Sequence, residues 1–276
     1  MHWEDRKGSH NIEDRRRFGT KNKGVAGLIF TAIMVYFLSG GDMSAVLQTI
    51  FSQGIPTTQN SRPSAHEDSY ARFASVVLKD TEDVWSKYFQ ALGRSYHPTT
   101  LVLYQGGTRS ACGFAQKAMG PFYCPLDQKI YLDLSFFDEL EHNLGARGDF
   151  AKAYVIAHEV AHHVQDELGI LKKVHALQSR LPTIEANKIS VRTELQADCL
   201  AGVWARWDQK INNALEPGDV QEAIQAAAQV GDDTLQRRTQ GYVVPDSFTH
   251  GSAKQRSFWF YRGYKSGNIK SCDTFN

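Results

Sequence analysis

The sequence predicts an α+β protein, predominantly helical, with a small β-sheet and one transmembrane helix in front of the folded domain. Three observations carry this reading. A charge-free apolar run occupies residues 24–41, two short strand-like segments lie near residues 100 and 130, and apolar positions recur at helical spacing through most of the chain after Ser135. At 276 residues with 42% apolar content the chain can bury a full core, and 22% charged residues is ordinary for a globular domain. A formal net charge of +1 provides no basic body, so no nucleic-acid partner is expected.

The run GVAGLIFTAIMVYFLSGG would extend roughly 27 Å as a helix, close to the hydrocarbon thickness of a bilayer. A buried core helix or a cleaved signal region has a similar composition. The flanking cluster Arg15, Arg16, Arg17, Lys21 and Lys23 favours an anchor whose amino terminus stays in the cytoplasm. The expected organisation is therefore a basic cytoplasmic tail (1–23), a signal anchor contacting the membrane (24–41), a linker (42–65) and a folded domain (66–276). That domain would lie on the periplasmic side of a bacterial inner membrane. The Pro-, Ser-, Thr- and Asn-rich stretch from Ser52 to Ala65 suits a tether.

Within the domain, Phe73, Val77, Val84, Tyr88 and Leu92 predict a helix from Asp68 to Leu92, stopped by Gly93. TLVLY (Thr100–Tyr104) and KIYLDL (Lys129–Leu134) predict strands, the second alternating Ile130, Leu132 and Leu134 against Tyr131 and Asp133. The Gly-rich segment between them predicts a loop or hairpin. Phe150, Tyr154, Ala157, Ala161, Val164 and Leu168 predict a helix capped by Asp149 and ended by Gly169. Further helices are expected over 185–207, 219–230 and 252–264.

Four cysteines, Cys112, Cys124, Cys199 and Cys272, allow three full pairings. Proximity favours Cys112 with Cys124, leaving Cys199 to fasten Cys272 of the tail to a helix; four buried thiols are the alternative. The absence of a C-x-x-C pair argues against a zinc ribbon or a thioredoxin-type redox centre.

His158, Glu159 and His162 form an H-E-x-x-H pattern on the predicted 150–168 helix. Residues four apart share a helix face, so both imidazoles can reach one Zn2+ ion while Glu159 faces the ligand side as a general base. A third protein ligand is needed. Gln165 and Leu168 stand where a metzincin would carry Gly and His, so it must come from elsewhere. RTELQADCLAG offers Glu194 and Asp198 on one face: Glu194 to bind the metal, Asp198 to hold the outer nitrogen of a ligand histidine. Small residues Ala157, Ala161, Ala197, Ala201 and Gly202 would let the two helices approach closely. His163 points about 100° away from His162 and reads as a spectator, while His97, His142 and His175 lack ligand spacing.

The segments HEVAHHVQ, SVRTELQADC, ACGFAQKAMGPFYCP, IYLDLSFF, PDSFTHG and CDTF resemble the YpfJ-type neutral zinc metallopeptidases of bacteria, over nearly all of the chain from Arg109. More distantly, the pattern is similar to the HtpX and CAAX-protease group of gluzincins. The resemblance implies a zincin-like catalytic domain, one Zn2+ per chain, and a peptide or protein substrate cut by a metal-activated water. It also places His250 and Arg256, in THGSAKQR, where that group has a transition-state-stabilising histidine and a nearby arginine; Gly251 stands where that group has proline. Gluzincins generally pair substrate with an edge strand, a role open to Ile130–Leu134, which could equally be an interior strand. Two rival readings use the same residues: a non-cleaving binding or chaperone-like zinc protein, which has no need of Glu159, and a zinc amidase of cell-wall peptides.

Overall fold

The computed structural model describes residues 1–16 and 63–276. Strand β1 (Ile12–Asp14) is followed by helix α1 (Ala65–Ala91), which starts one residue earlier than the expected domain boundary. Ser64 sets that start through a reciprocal box: its hydroxyl accepts from Glu67 N, and the Glu67 carboxylate accepts from Ser64 N. Next come β2 (Thr100–Tyr104), a hairpin of β3 (Gly107–Ser110) and β4 (Gly113–Gln116), then β5 (Phe122–Cys124) and β6 (Lys129–Asp133). The sheet order is β1-β2-β6-β5, with β1, β2 and β6 parallel and β5 antiparallel to β6. KIYLDL is thus an interior strand, and β5 takes the edge.

The period of two sorts these strands between two cores. Leu101, Leu103, Ile130 and Leu132 face the main core, while Val102, Tyr104 and Tyr131 join Ala115 and Cys124 beneath the hairpin. Cys112 is bonded to Cys124 there, and Cys199 to Cys272 at the other end of the domain, the pairing that proximity favoured.

The remaining helices are α2 (Ser135–Asp138), α3 (Asp149–Glu167), α4 (Ile170–Gln178), α5 (Thr183–Asn212), α6 (Asp219–Gln229), α7 (Asp232–Gln240) and α8 (Ala253–Ser266). Helix α3 runs through the centre and is buried on nearly every face. Asp149 is its first residue rather than its cap; Glu222 of α6 accepts from Phe150 N instead, and the Asp149 carboxylate accepts from Trp3 Nε1. Helices α4 and α7 were not expected. Gly202 serves a different neighbour from the one predicted: a Cβ there would stand 2.0 Å from Phe260 O, and one on Gly263 would stand 1.9 Å from Cys199 O. The two glycines therefore let α5 and α8 touch backbone to backbone.

Residues 1–16 are not a free tail. β1 pairs in parallel with β2, Ile12 opposite Leu101, and Arg15 N donates to Leu103 O at 2.7 Å. Arg16, 8% exposed, is paired with Asp14 and Asp68 and donates to Glu67 O. Two members of the basic cluster that suggested a cytoplasmic flank are thus structural residues of the domain. Residues 1–16, expected within a basic tail, therefore pack on the folded domain through the pairing of β1 with β2. The expected anchor, 24–41, lies outside the described residues; among the described residues no helix is long and apolar enough to cross a membrane.

Candidate metal centre

Helices α3 and α5 bring His158, His162 and Glu194 together, with donor atoms of all three within 4.8 Å of one another. Both Nε2 atoms face the same carboxylate oxygen: Glu194 Oε2 is 3.0 Å from His158 and 3.5 Å from His162. The four-residue spacing on α3 stacks the two rings edge to face, centroids 4.9 Å apart. Two imidazoles and one carboxylate are the donor set that suits a catalytic zinc, with the remaining position left to solvent or substrate. The residues present therefore fit the ion.

Charge supports the same assignment. Burial pushes the Glu194 carboxyl up, but the charge of His162 and hydrogen bonds from both histidines hold it well below the usual carboxylate range. Burial opposes charge on His158, yet Asp198 and Glu194 raise it to about 10. Without a metal, this pocket draws protons onto its imidazoles; a dication answers the same field.

Behind each ligand stands a different support. His158 Nδ1 lies 2.9 Å from Asp198 Oδ1. Asp198, fully buried, also receives Arg256 Nε at 2.8 Å, Arg256 Nη2 at 3.0 Å and the Tyr154 hydroxyl at 2.5 Å. Burial pushes the Asp198 carboxyl up, and Arg256 and His158 more than reverse this. Arg256, expected beside His250, is thus a buried clamp on the carboxylate behind His158. His162 Nδ1 meets Gln165 Oε1 at 2.9 Å. Tyr154 and Gln165 had gone unassigned, although each sits on α3 at the spacing that faces a ligand histidine, four before His158 and three after His162.

The ligands open onto a cleft of about 530 Å³ that Glu159, His250, Arg256 and the β5 residues Phe122 and Tyr123 also line. β5 is fastened to α3: the Tyr123 hydroxyl donates to Asp166 Oδ2 at 2.9 Å and lies 3.1 Å from His163 Nδ1. His163 also reaches His97 O at 2.6 Å. It lies outside the group formed by His158, His162 and Glu194 and is a buried tie rather than a spectator.

His250 is half-exposed, its Nδ1 3.4 Å from Asp232 Oδ1. The other Asp232 oxygen receives the backbone N–H groups of Thr249, His250 and Gly251. Gly251 has φ +97°, which proline cannot adopt, so the loop departs from the proline-bearing pattern as the sequence implied.

Sequence comparison decides the family. Residues 1–275 match the family model described as "Putative neutral zinc metallopeptidase". The chain belongs to this family. It is 46% identical over 289 aligned positions to the protein YpfJ of Escherichia coli (strain K12), covering all of this chain and 99% of that protein. It is 39% identical over 226 positions to the protein Rv2575 of Mycobacterium tuberculosis (strain H37Rv), covering 78% of this chain and 74% of that one. No solved structure matches. Zinc is the metal of neutral zinc metallopeptidases, and His158, His162 and Glu194 are the group suited to hold it among the described residues. Peptides or proteins are the substrates that such a family implies.

Proposed function

We propose that the protein is an endopeptidase that hydrolyses peptide bonds of protein substrates, with His158, His162 and Glu194 as zinc ligands and Glu159 as general base. The observation that carries this is the convergence of two imidazoles and a carboxylate at the floor of a cleft that Glu159 shares with an outer strand of the sheet. Zinc, when bound, supplies a Lewis acid that polarises a carbonyl and acidifies water. Glu159 takes the proton of the attacking water and delivers it to the departing amine. His250, which lines the same cleft, would donate to the oxyanion that develops. β5 offers an outer edge on which an extended peptide can lie, and main-chain pairing of that kind confers little sequence preference.

Replacing Glu159 with Gln tests the assignment. Cleavage of an unfolded protein is expected to fall by about 10²–10⁴-fold, with zinc content unchanged and cell-wall peptides untouched by either form. Undiminished cleavage by the variant would remove Glu159 from the mechanism, and hydrolysis of cell-wall peptides alone would make the protein an amidase.

Two disulfides support placement of the domain in an oxidising, extracytoplasmic compartment. The packing of residues 1–16 on the domain supports both flanks of 24–41 lying on one side of any membrane that this segment contacts. Tags at the two ends of the chain are then expected to become accessible to protease together in spheroplasts. Protection of the amino-terminal tag alone would restore the single-pass arrangement.

A further inference from the structure

The support behind His162 differs in kind from that behind His158. His158 leans on a carboxylate and a guanidinium, whereas His162 leans on two neutral amides that continue across α5 to the carboxyl-terminal tail. Gln165 Oε1 lies 2.9 Å from His162 Nδ1, and Gln165 Nε2 donates to Thr193 O at 2.8 Å and to Gln196 Oε1 at 3.0 Å. Gln196 Nε2 in turn donates to Cys272 O at 3.0 Å. Gln165 is fully buried and Gln196 is 8% exposed. Cys272, 1% exposed, is held in place by its bond to Cys199, the residue after Asp198 on α5.

The direction of this chain is fixed by chemistry. With Nε2 turned to the metal, the Nδ1 of His162 carries its proton and needs an acceptor. Gln165 must then present its oxygen to the histidine and its NH2 to Thr193 and Gln196. Gln196 must present oxygen to Gln165 and NH2 to a carbonyl, and Cys272 provides that carbonyl. Flipping either amide would set donor against donor at a buried site, where an unpaired polar group is costly.

We infer that Gln165 and Gln196 are positioning residues for the metal ligand His162, and that the Cys199–Cys272 disulfide anchors the far end of this relay. The inference rests on the assignment of His162 as a zinc ligand. It gives the tail disulfide a part in metal retention as well as in fastening the chain end.

The test measures zinc affinity of the full chain by competition with a chromophoric chelator, together with thermal stability and the 15N–1H NMR signal of the His162 Nδ1–H. Gln165→Met, close in shape but unable to accept, is expected to weaken zinc binding by about 10–100-fold and to abolish the protected Nδ1–H signal. Gln196→Met and the double replacement Cys199→Ser with Cys272→Ser should each weaken binding by a smaller factor. In the Gln165→Met background neither should weaken it further, because the relay is already cut. Losses that simply multiply in the combined variants, following thermal stability, would reduce these residues to general fold support and overturn the inference. If Gln165→Met does not fold, wild-type zinc affinity in both Gln196→Met and the cysteine double variant overturns it equally. His162→Ala separates the two levels: unchanged zinc affinity there removes the ligand assignment itself, whereas a loss there with none in the glutamine variants removes only the relay.

Discussion

Asp198 and His158 meet at 2.9 Å, and the same carboxylate takes both arms of the buried Arg256. One residue thereby orients the Nδ1 side of a candidate metal ligand and balances a guanidinium that is only 3% exposed. Asp198→Asn keeps the shape and removes the charge. Zinc affinity should fall by about 10–100-fold, and stripping Arg256 of its counter-charge should cost about 3–5 kcal/mol of stability. Urea denaturation and chelator competition measure the two effects separately. A variant as stable as wild type would mean that Arg256 finds another anion.

Helices α5 and α8 depend on Gly202 and Gly263 in the same way. Each missing Cβ would press on a backbone carbonyl of the other helix, which cannot rotate away as a side chain can. Gly202→Ala or Gly263→Ala should destabilise by about 1–3 kcal/mol or more, the cost of overpacking a tight core. Arg256 lies on α8 and Asp198 on α5, so the clamp behind His158 should loosen as well. Reduced zinc affinity alongside a lower urea midpoint is the expected pair of results; full stability would show that the helices can separate freely.

The amino-terminal arm carries a pH-dependent contact. Arg6 reaches Asp80 of α1 and, at 3.8 Å, Asp208 of α5, and both carboxyls are almost completely buried. Burial pushes Asp80 up to about 8, with the nearby charge of Asp208 adding to the shift and Arg6 opposing it. A raised folded pKa means that the native state holds more protons than the unfolded chain between about pH 4 and pH 8. Stability from this pair is therefore complete below pH 4 and declines as pH rises through that window. Asp80→Asn should flatten the decline and raise the urea midpoint at pH 8 relative to wild type. An equal slope in both proteins would assign the pH dependence elsewhere.

The centre of the site was legible because a helix has a fixed period. His158, Glu159 and His162 share a turn of α3, and Glu194 with Asp198 repeats the spacing on α5, so sequence order already implied spatial order. Relationships between segments without such a period were not legible. Arg256 could pair with any nearby carboxylate, and only the contact of α8 with α5 selects Asp198. The interior position of β6 depends on β5 adding beside it, and a three-residue strand leaves little trace in a sequence. Arg15 and Arg16 next to an apolar run look like a membrane flank; in the fold they pair with their neighbours Glu13 and Asp14, and Arg16 also reaches Asp68 of α1, a distant partner that no local pattern reveals.

His250 stands apart from the ligands because its place is set by a loop. Asp232 holds that loop through three backbone N–H groups on one oxygen and the imidazole near the other. The hydrogen bonds and charge of His250 hold the Asp232 carboxyl below its ordinary value despite burial. Nδ1 lies 2.9 Å from the Thr249 hydroxyl and 3.4 Å from Asp232, which leaves Nε2 to serve the cleft. If His250 steadies the charge that develops on the scissile carbonyl oxygen, His250→Phe should lower kcat by about 10²–10³-fold while leaving KM and zinc affinity near wild type. Asp232→Ala should act in the same direction and more weakly, because the histidine remains but its loop is released. Steady-state kinetics of both variants checks this. A rise in KM with kcat unchanged would make His250 a substrate contact, since only a group that acts more strongly in the transition state than on bound substrate lowers kcat when removed.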